Sequence, residues 1–186
     1  MRNCENATML EFCNLKNDKM AEFEKLAKEI TSLILEWESK LLSLPEETIT
    51  VRRNSQNRSI KQILGHMVDS ASNNTHRVVH LQYRELPLRF PNYATYGNNE
   101  RWISIQNYQN ENWENLVQHW KYSNLHFAHV IQNIDTEMLQ NVWISDFGEK
   151  ITLKKMVESF LPHLNLHLGE IEELSAPPLP SPRERE

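Results

Sequence analysis

Residues 152–174, TLKKMVESFLPHLNLHLGEIEEL, carry the clearest helical pattern in the chain. Apolar residues recur there at steps of three and four, which is the spacing of one face of an α-helix: Leu153, Met156, Val157, Phe160, Leu161, Leu164, Leu168, Ile171 and Leu174. The segment therefore predicts an amphipathic helix with one face in a core. Because proline lacks a backbone N–H, we expect Pro162 to kink this helix or to mark a new first turn.

Three further segments show the same helical spacing, over residues 18–44, 59–81 and 111–134. Between the second and third of them, residues 85–106 contain several prolines and aromatic residues and predict a long loop. Residues 141–153, NVWISDFGEKITL, predict a short hairpin or loop before the last helix, with its turn at Gly148.

Four long amphipathic helices predict an all-α protein, a four-helix bundle over residues 18–174. Glycine is scarce, at 4 of 186 residues, which agrees with a protein that has few tight turns. Residues 1–17 are polar and predict a flexible or short-helical N-terminal arm. Residues 175–186, SAPPLPSPRERE, predict a disordered proline-rich tail.

Composition argues against several function classes. The net charge of -5 does not suit nonspecific nucleic-acid binding, which needs lysine and arginine to displace counterions from phosphates. No apolar run approaches the roughly 18 residues of a membrane span, and the N-terminal sequence lacks the apolar core of a secretion signal. Cys4 and Cys13 are too few for a disulfide framework or a thiolate zinc site. We therefore expect a cytoplasmic protein with neither a nucleic-acid nor a membrane partner.

His163 and His167 lie four residues apart in the last predicted helix. At that spacing the two Cβ atoms are roughly 5–6 Å apart on one helical face, a distance from which two imidazoles reach one metal ion. His167 falls inside the apolar stripe and His163 at its edge, so we expect both to face the bundle interior. The same spacing also fits two histidines packed at a helix interface with ordinary hydrogen-bond partners.

A polar stripe runs beside the apolar face of the second predicted helix, through His66, Asp69, Asn73 and Arg77. Such a stripe is either a solvated face or the lining of a polar cleft inside a bundle. In the second case His66 supplies a third imidazole. Three protein ligands leave the fourth position of a tetrahedral metal open, as catalytic sites do. Imidazole suits zinc, nickel, copper or iron.

With these motifs in place, the sequence resembles the DinB-like superfamily, including its YfiT-like and bacillithiol transferase-like members, over about residues 20–174. The stretch ILGHMVDS, residues 63–70, resembles a family motif in which a metal-binding histidine is followed by an acid three residues later. GEKITL, residues 148–153, resembles the family's lead into its fourth helix. The sequence departs from YfiT-like members at Leu166 and Glu170, where they often carry further histidines.

The resemblance implies an up-down-down-up bundle with a divalent metal, zinc or nickel, held by His66, His163 and His167. It also implies Asp69 as a catalytic residue and a substrate-binding role for four others: Asn73, Arg77, Trp102 and His126.

The function expected from this resemblance is metal-dependent thiol S-transfer, with a small-molecule thiol and an electrophile as partners. A metal ion deprotonates a bound thiol, and the thiolate is the nucleophile. One alternative is a metal-dependent hydrolase that activates water, with Asp69 or Glu170 as the base. Another is a non-catalytic bundle that binds a metal or a small ligand. A homodimer is a further expectation.

Overall fold

The computed structural model describes residues 2–83, 87–89 and 98–177, with side chains from Met20 onward. Its elements follow in chain order: α1 Arg2–Leu42, α2 Glu46–Val51, α3 Ile60–His80, β1 Leu88–Arg89, α4 Asn98–Gln106, α5 Trp113–Gln132, β2 Val142–Ile144, β3 Lys150–Thr152, α6 Leu153–Glu158 and α7 Phe160–Ser175. A short 3-10 helix, Tyr108–Asn110, precedes α5, and another, Thr136–Met138, follows it.

The two central helices, α3 and α5, run parallel to each other. Near their first residues, the hydroxyl of Ser59 donates to Oε1 of Gln109 at 2.6 Å. Just beyond their last residues, the backbone N–H of Asp135 donates to Oε1 of Gln82 at 2.9 Å. The first residues of the two helices therefore lie close together, and so do their last residues, as in a parallel pair.

The two outer helices, α1 and α7, run the opposite way. The indole N–H of Trp113, the first residue of α5, donates to the carbonyl of Leu41 at the end of α1, at 3.0 Å. Arg52, the C-cap residue of α2 in the segment that leads into α3, donates to the carbonyl of Leu174 at the end of α7, at 2.6 Å. The four long helices thus run up, down, down and up, and the predicted bundle is confirmed.

Local sequence explains where α3 and α5 begin. The hydroxyl of Ser59 accepts from the N–H of Gln62 at 3.2 Å, and the Gln62 side chain accepts from the N–H of Ser59 at 3.0 Å. This reciprocal capping box satisfies two N–H groups that a helix start leaves open. Asn112 caps α5 by accepting from the N–H of Asn115 at 2.9 Å.

The core lies between the four long helices and contains one apolar stripe from each. The largest fully buried side chains include Ile30 and Ile34 from α1, Ile63 and Met67 from α3, Trp120 and Phe127 from α5, and Phe160 from α7. The rings of Phe127 and Phe160 meet edge to face at 4.4 Å between centroids. This contact joins α5 to the start of α7. Among the described helices, none is both long and apolar enough to cross a bilayer.

The predicted loop over residues 85–106 is wrong in its second half, because residues 98–106 form helix α4. Only Ile103 of this helix is buried, so its sequence, NNERWISIQ, lacks a repeated apolar stripe that would predict a helix. The helix ends at Gln106, and the next residue, Asn107, has a φ of 55°, the left-handed conformation that asparagine tolerates. Residues 84–86 and 90–97 lie outside the described residues.

The segment before the last helix contains the strands β2 and β3, which pair antiparallel. Gly148, with a φ of 78°, lies in the turn between them, where a residue with a side chain would be strained. Strand β1 adds to β2 in parallel and completes a small three-stranded sheet.

Two helix boundaries differ from those predicted. Helix α1 begins at Arg2, so the backbone of residues 2–17 continues the first helix. The predicted helix over residues 152–174 is divided at Ser159 into α6 and α7. Of the predicted C-terminal tail, residues 178–186 lie outside the described residues.

Candidate metal centre

Three histidines from two helices converge between α3 and α7. His66 belongs to α3, His163 and His167 to α7, and one ring nitrogen of each lies within 4.8 Å of the others. The centroid of the His66 ring is 4.7 Å from that of His167 and 5.4 Å from that of His163. The structure therefore brings together the three residues that were predicted from the sequence to be metal ligands.

The nitrogen spacing suits a metal ion. Nε2 of His163 lies 3.1 Å from Nε2 of His167. Two nitrogens that each lie about 2.0–2.1 Å from a tetrahedral ion are about 3.3 Å apart. A small adjustment of these two side chains would accommodate a divalent metal, and imidazole is a ligand that such metals accept.

Pro162 lies in the first turn of α7, immediately before His163. It is the third residue of α7, in the first turn, where a missing N–H breaks no helical hydrogen bond. The chain has just turned at Ser159, and the N–H of His163 donates to the Ser159 carbonyl at 3.2 Å. The helix therefore restarts just before the two histidines, as expected for a proline at this position.

The histidines are held in an environment that opposes protonation. Burial lowers the pKa of His66 to about 3, and the neighbouring imidazoles of His167 and His163 act in the same direction. Burial also lowers the pKa of His163 to about 4, with His167 again contributing. Both rings are therefore neutral at pH 7 and offer the lone pairs that metal coordination requires.

These two lowered pKa values predict that the metal-free protein loses stability as the pH falls from 7.5 to 5. In the unfolded chain both histidines regain a pKa near 6.5, so the unfolded state binds protons that the native state does not. The contribution of these two histidines to stability is therefore fully present above about pH 6.5. It is lost progressively as the pH falls from there towards the folded pKa values. Urea unfolding of metal-free protein across this range measures the effect.

The control for this prediction is His163→Gln. Burial raises the pKa of the Asp69 carboxyl, which acts in the opposite direction on acidification, and the variant retains that contribution. The variant should therefore show a shallower decline than the wild type between pH 7.5 and 5. Equal slopes in the two proteins would contradict the prediction.

Helix α4 lies against one side of the cluster. The Asn99 side chain of α4 raises the pKa of His66 and so partly offsets burial. The next residue, Glu100, forms an ion pair with Arg58. The Arg58 side chain is only 4% exposed, whereas that of Glu100 is 57% exposed. The ion pair therefore holds the start of α4 against Arg58, two residues before α3 begins.

Asp69 holds the other end of α4 in place through hydrogen bonds. Its Oδ1 accepts from the hydroxyl of Tyr108 at 2.7 Å and from Nε2 of Gln106 at 3.3 Å. These bonds, together with one from Trp102, lower the pKa of Asp69, but the opposing effect of burial is larger. Asp69 was predicted to be catalytic. The structure places it one helical turn after His66, with its carboxylate engaged by residues that follow α3.

Removing one of these bonds should be measurable. In Tyr108→Phe, Asp69 loses its shortest hydrogen bond while the ring stays, and a bond to a charged group contributes about 1.5–3 kcal/mol. We expect a loss of stability of that order in urea unfolding, together with a further rise in the pKa of Asp69. Tyr122→Phe is the matched control, because Tyr122 is 61% exposed. Equal stability of the two variants would contradict this role.

Two predicted substrate-binding residues lie further along α3. The Asn73 side chain donates to the backbone carbonyl of Asp69 at 2.9 Å. Arg77 is buried, and its guanidinium lies 4.3 Å from the centroid of the Trp143 ring on β2. Three helical turns from His66 correspond to roughly 16 Å along the axis. The structure therefore places Arg77 against the sheet and not beside the three histidines.

The other two predicted substrate-binding residues differ from each other in position. Trp102 lies on α4, partly exposed, and hydrogen-bonds to Asp69 on the side of α3 that carries His66. His126 is on an exposed part of α5, and its ring is stacked near that of His129, with 6.4 Å between centroids. It is not among the three histidines whose nitrogens converge.

Sequence reasoning named Glu170 only as an alternative base, and the structure gives it a different place. Its Oε2 lies 2.9 Å from Nδ1 of His167, on the side of the ring that points away from the cluster. An acid three residues after a histidine lies on the same helical face. The spacing of three residues between His167 and Glu170 was therefore the feature of the sequence that could have predicted this contact.

Taken together, the fold and this cluster define an up-down-down-up helical bundle with three histidines between its second and last long helices. The chain belongs to the DinB superfamily, whose family model matches residues 34–171. It is similar in structure to YfiT from Bacillus subtilis, described as a probable metal-dependent hydrolase with an unusual four-helix bundle topology. The TM-score is 0.69 at 15% sequence identity, covering 84% of this chain and 85% of YfiT. None of the curated proteins matches the sequence.

Proposed function

We propose that this protein is a metal-dependent enzyme that activates a low-molecular-weight thiol for transfer to an electrophile. The observation that carries the proposal is the convergence of three imidazole nitrogens within 4.8 Å of one another. With three protein ligands, one position of a tetrahedral zinc or nickel ion is open to a small molecule. A thiol bound at such a position is deprotonated, and the thiolate is the attacking species.

The surrounding residues support metal coordination at this place. His66 and His163 are neutral at pH 7 because their pKa values are strongly lowered, so they can coordinate without first losing a proton. The guanidinium of Arg58 lies near enough to contribute to lowering the pKa of His66. Burial of His66, which is 5% exposed, keeps bulk water from that side of the cluster.

Hydrolysis is the second candidate, favoured by the likeness to YfiT, which is described as a probable metal-dependent hydrolase. Hydrolysis benefits from a carboxylate that takes a proton from water. Near the cluster, Oδ1 of Asp69 accepts from Tyr108 and Gln106, and Oε2 of Glu170 contacts His167. Oδ2 of Asp69 is buried without a hydrogen-bond partner among the described residues, so it is the candidate base for hydrolysis. Thiol transfer needs no such base once the thiol has been deprotonated, which is why we rank it first.

The experiment is a screen of small thiols with chlorodinitrobenzene as the electrophile, using protein loaded with zinc or with nickel. We expect turnover with at least one thiol, abolished by a chelator and by His163→Ala. The control variant is His129→Ala, since His129 is an exposed histidine outside the cluster. Chelator-sensitive cleavage of ester or amide substrates without thiol turnover would favour the hydrolase. Metal binding without either activity would favour the remaining alternative, a non-catalytic bundle that binds a metal or a small ligand.

A further inference from the structure

The contact between Glu170 and His167 constrains the proton of the imidazole. Nδ1 of His167 is 2.9 Å from Oε2 of Glu170. The His167 side chain is 8% exposed and that of Glu170 is 23% exposed, so the contact is largely shielded from water. An ionised carboxylate only accepts hydrogen bonds. The hydrogen in this contact must therefore be on Nδ1 of His167.

That assignment determines what the other nitrogen of His167 can do. A neutral imidazole carries one N–H, so a proton on Nδ1 leaves a lone pair on Nε2. Nε2 of His167 is the atom that faces Nε2 of His163 at 3.1 Å. His167 is thus held in the tautomer that a metal ion requires, with no metal needed to select it.

His163 is in a different situation. Since Nε2 of His167 has a lone pair, the 3.1 Å contact is a hydrogen bond only if Nε2 of His163 carries the hydrogen. Nδ1 of His163 is buried and has no hydrogen-bond partner among the described residues. To offer a lone pair from Nε2, His163 must move its proton to that unpartnered nitrogen. The two histidines of α7 are therefore not equivalent.

We propose that Glu170 is a positioning residue of the metal centre. By accepting the Nδ1 hydrogen of His167, it fixes that ring in its metal-ready tautomer, while His163 changes tautomer when a metal enters. The second statement rests on the proposed metal site. The first concerns the metal-free protein alone, so the two can fail separately.

The first test uses nitrogen NMR of the histidine rings in metal-free protein at pH 7.5. We expect Nδ1 of His167 and Nε2 of His163 to be the protonated nitrogens in the wild type. In Glu170→Ala the preference at His167 should be lost, and in Glu170→Gln it should persist because the amide oxygen still accepts. A wild-type His167 protonated on Nε2 would overturn the proposal, whether or not the protein binds metal.

The second test measures zinc affinity by competition with a coloured chelator. Loss of a carboxylate behind a metal-binding histidine typically weakens metal binding by about 10–100-fold. We expect Glu170→Ala to show a loss of that size and Glu170→Gln a smaller one. Glu173→Gln, an exposed acid on the same helix, should match the wild type. The cobalt-loaded forms should show a changed absorption spectrum in Glu170→Ala only.

The outcomes separate a positioning role from a structural one. Circular dichroism and thermal unfolding of the metal-free variants report whether they fold, and Glu170→Gln keeps the test valid if Glu170→Ala does not. Zinc affinity of Glu170→Ala within two-fold of the wild type would overturn the positioning role. A wild type that binds no zinc would instead remove the proposed function, and the NMR result would still decide the role of Glu170 in the metal-free protein.

Discussion

Alanine at His66, His163 or His167 is expected to empty the metal centre. Wild-type protein purified without a nickel column should hold about one divalent ion per chain, and each variant less than about a tenth of that. Removing one imidazole from three leaves only two protein ligands, a larger loss than the 10–100-fold typical of a residue behind a ligand. Mass spectrometry for metals on purified, dialysed protein makes the measurement.

The three variants have a matched control in His129→Ala, which removes an exposed histidine of α5. It should keep the metal content of the wild type. The metal-free forms of all four variants should give the same helical circular dichroism spectrum, since the change in metal content must not come from unfolding. A wild type without metal even after incubation with zinc or nickel would refute the metal centre. Metal content at the wild-type level in any one of the three alanine variants would also refute the metal centre.

The second large effect is expected at Gly65, the residue before His66. A Cβ atom built there would lie 2.2 Å from Cδ2 of Tyr108 and 2.3 Å from its Cγ, far inside contact distance. The ring cannot easily give way, because Tyr108 is 4% exposed and its hydroxyl is bound to Asp69. Overpacking of this kind destabilises by about 1–3 kcal/mol. We expect Gly65→Ala to lose stability of that order in urea unfolding.

Gly169→Ala is the matched control, because that glycine also lies in a helix but nothing stands within 4 Å of the position of a Cβ. Alanine is there expected to stabilise the helix by roughly 0.5–1 kcal/mol. The two substitutions are chemically identical and should act with opposite sign. A stabilising Gly65→Ala would mean that Tyr108 does not pack on this glycine.

Much of the bundle could be predicted because its signals are local. Ser59 occupies the N-cap position that its side chain favours, and the apolar steps of α3 and α5 continue from one turn to the next. The histidines of α7 were found because their spacing is a property of one helix. The polar stripe of α3 made His66 a candidate third ligand, and the family resemblance favoured a polar cleft over a solvated face, since no local pattern indicates which face of α3 meets α7.

The parts that were missed depend on contacts between distant segments. Helix α4 has one buried residue, Ile103, and is fastened largely through Arg58 and Asp69. A sequence window contains neither partner. The placement of Arg77 was likewise not predictable, since its position in the polar stripe suited a cleft as well as the stacking on Trp143 that the structure shows.

The location of the three histidines has a mechanical consequence. His66 and the two histidines of α7 are separated by most of the bundle's sequence, so one ion shared among them is a cross-link that closes a long loop of chain. Closing such a loop restricts the unfolded ensemble far more than the native one. Metal-loaded protein should therefore protect the backbone amides of α7 from hydrogen exchange, and chelation should release that helix before the rest of the bundle opens.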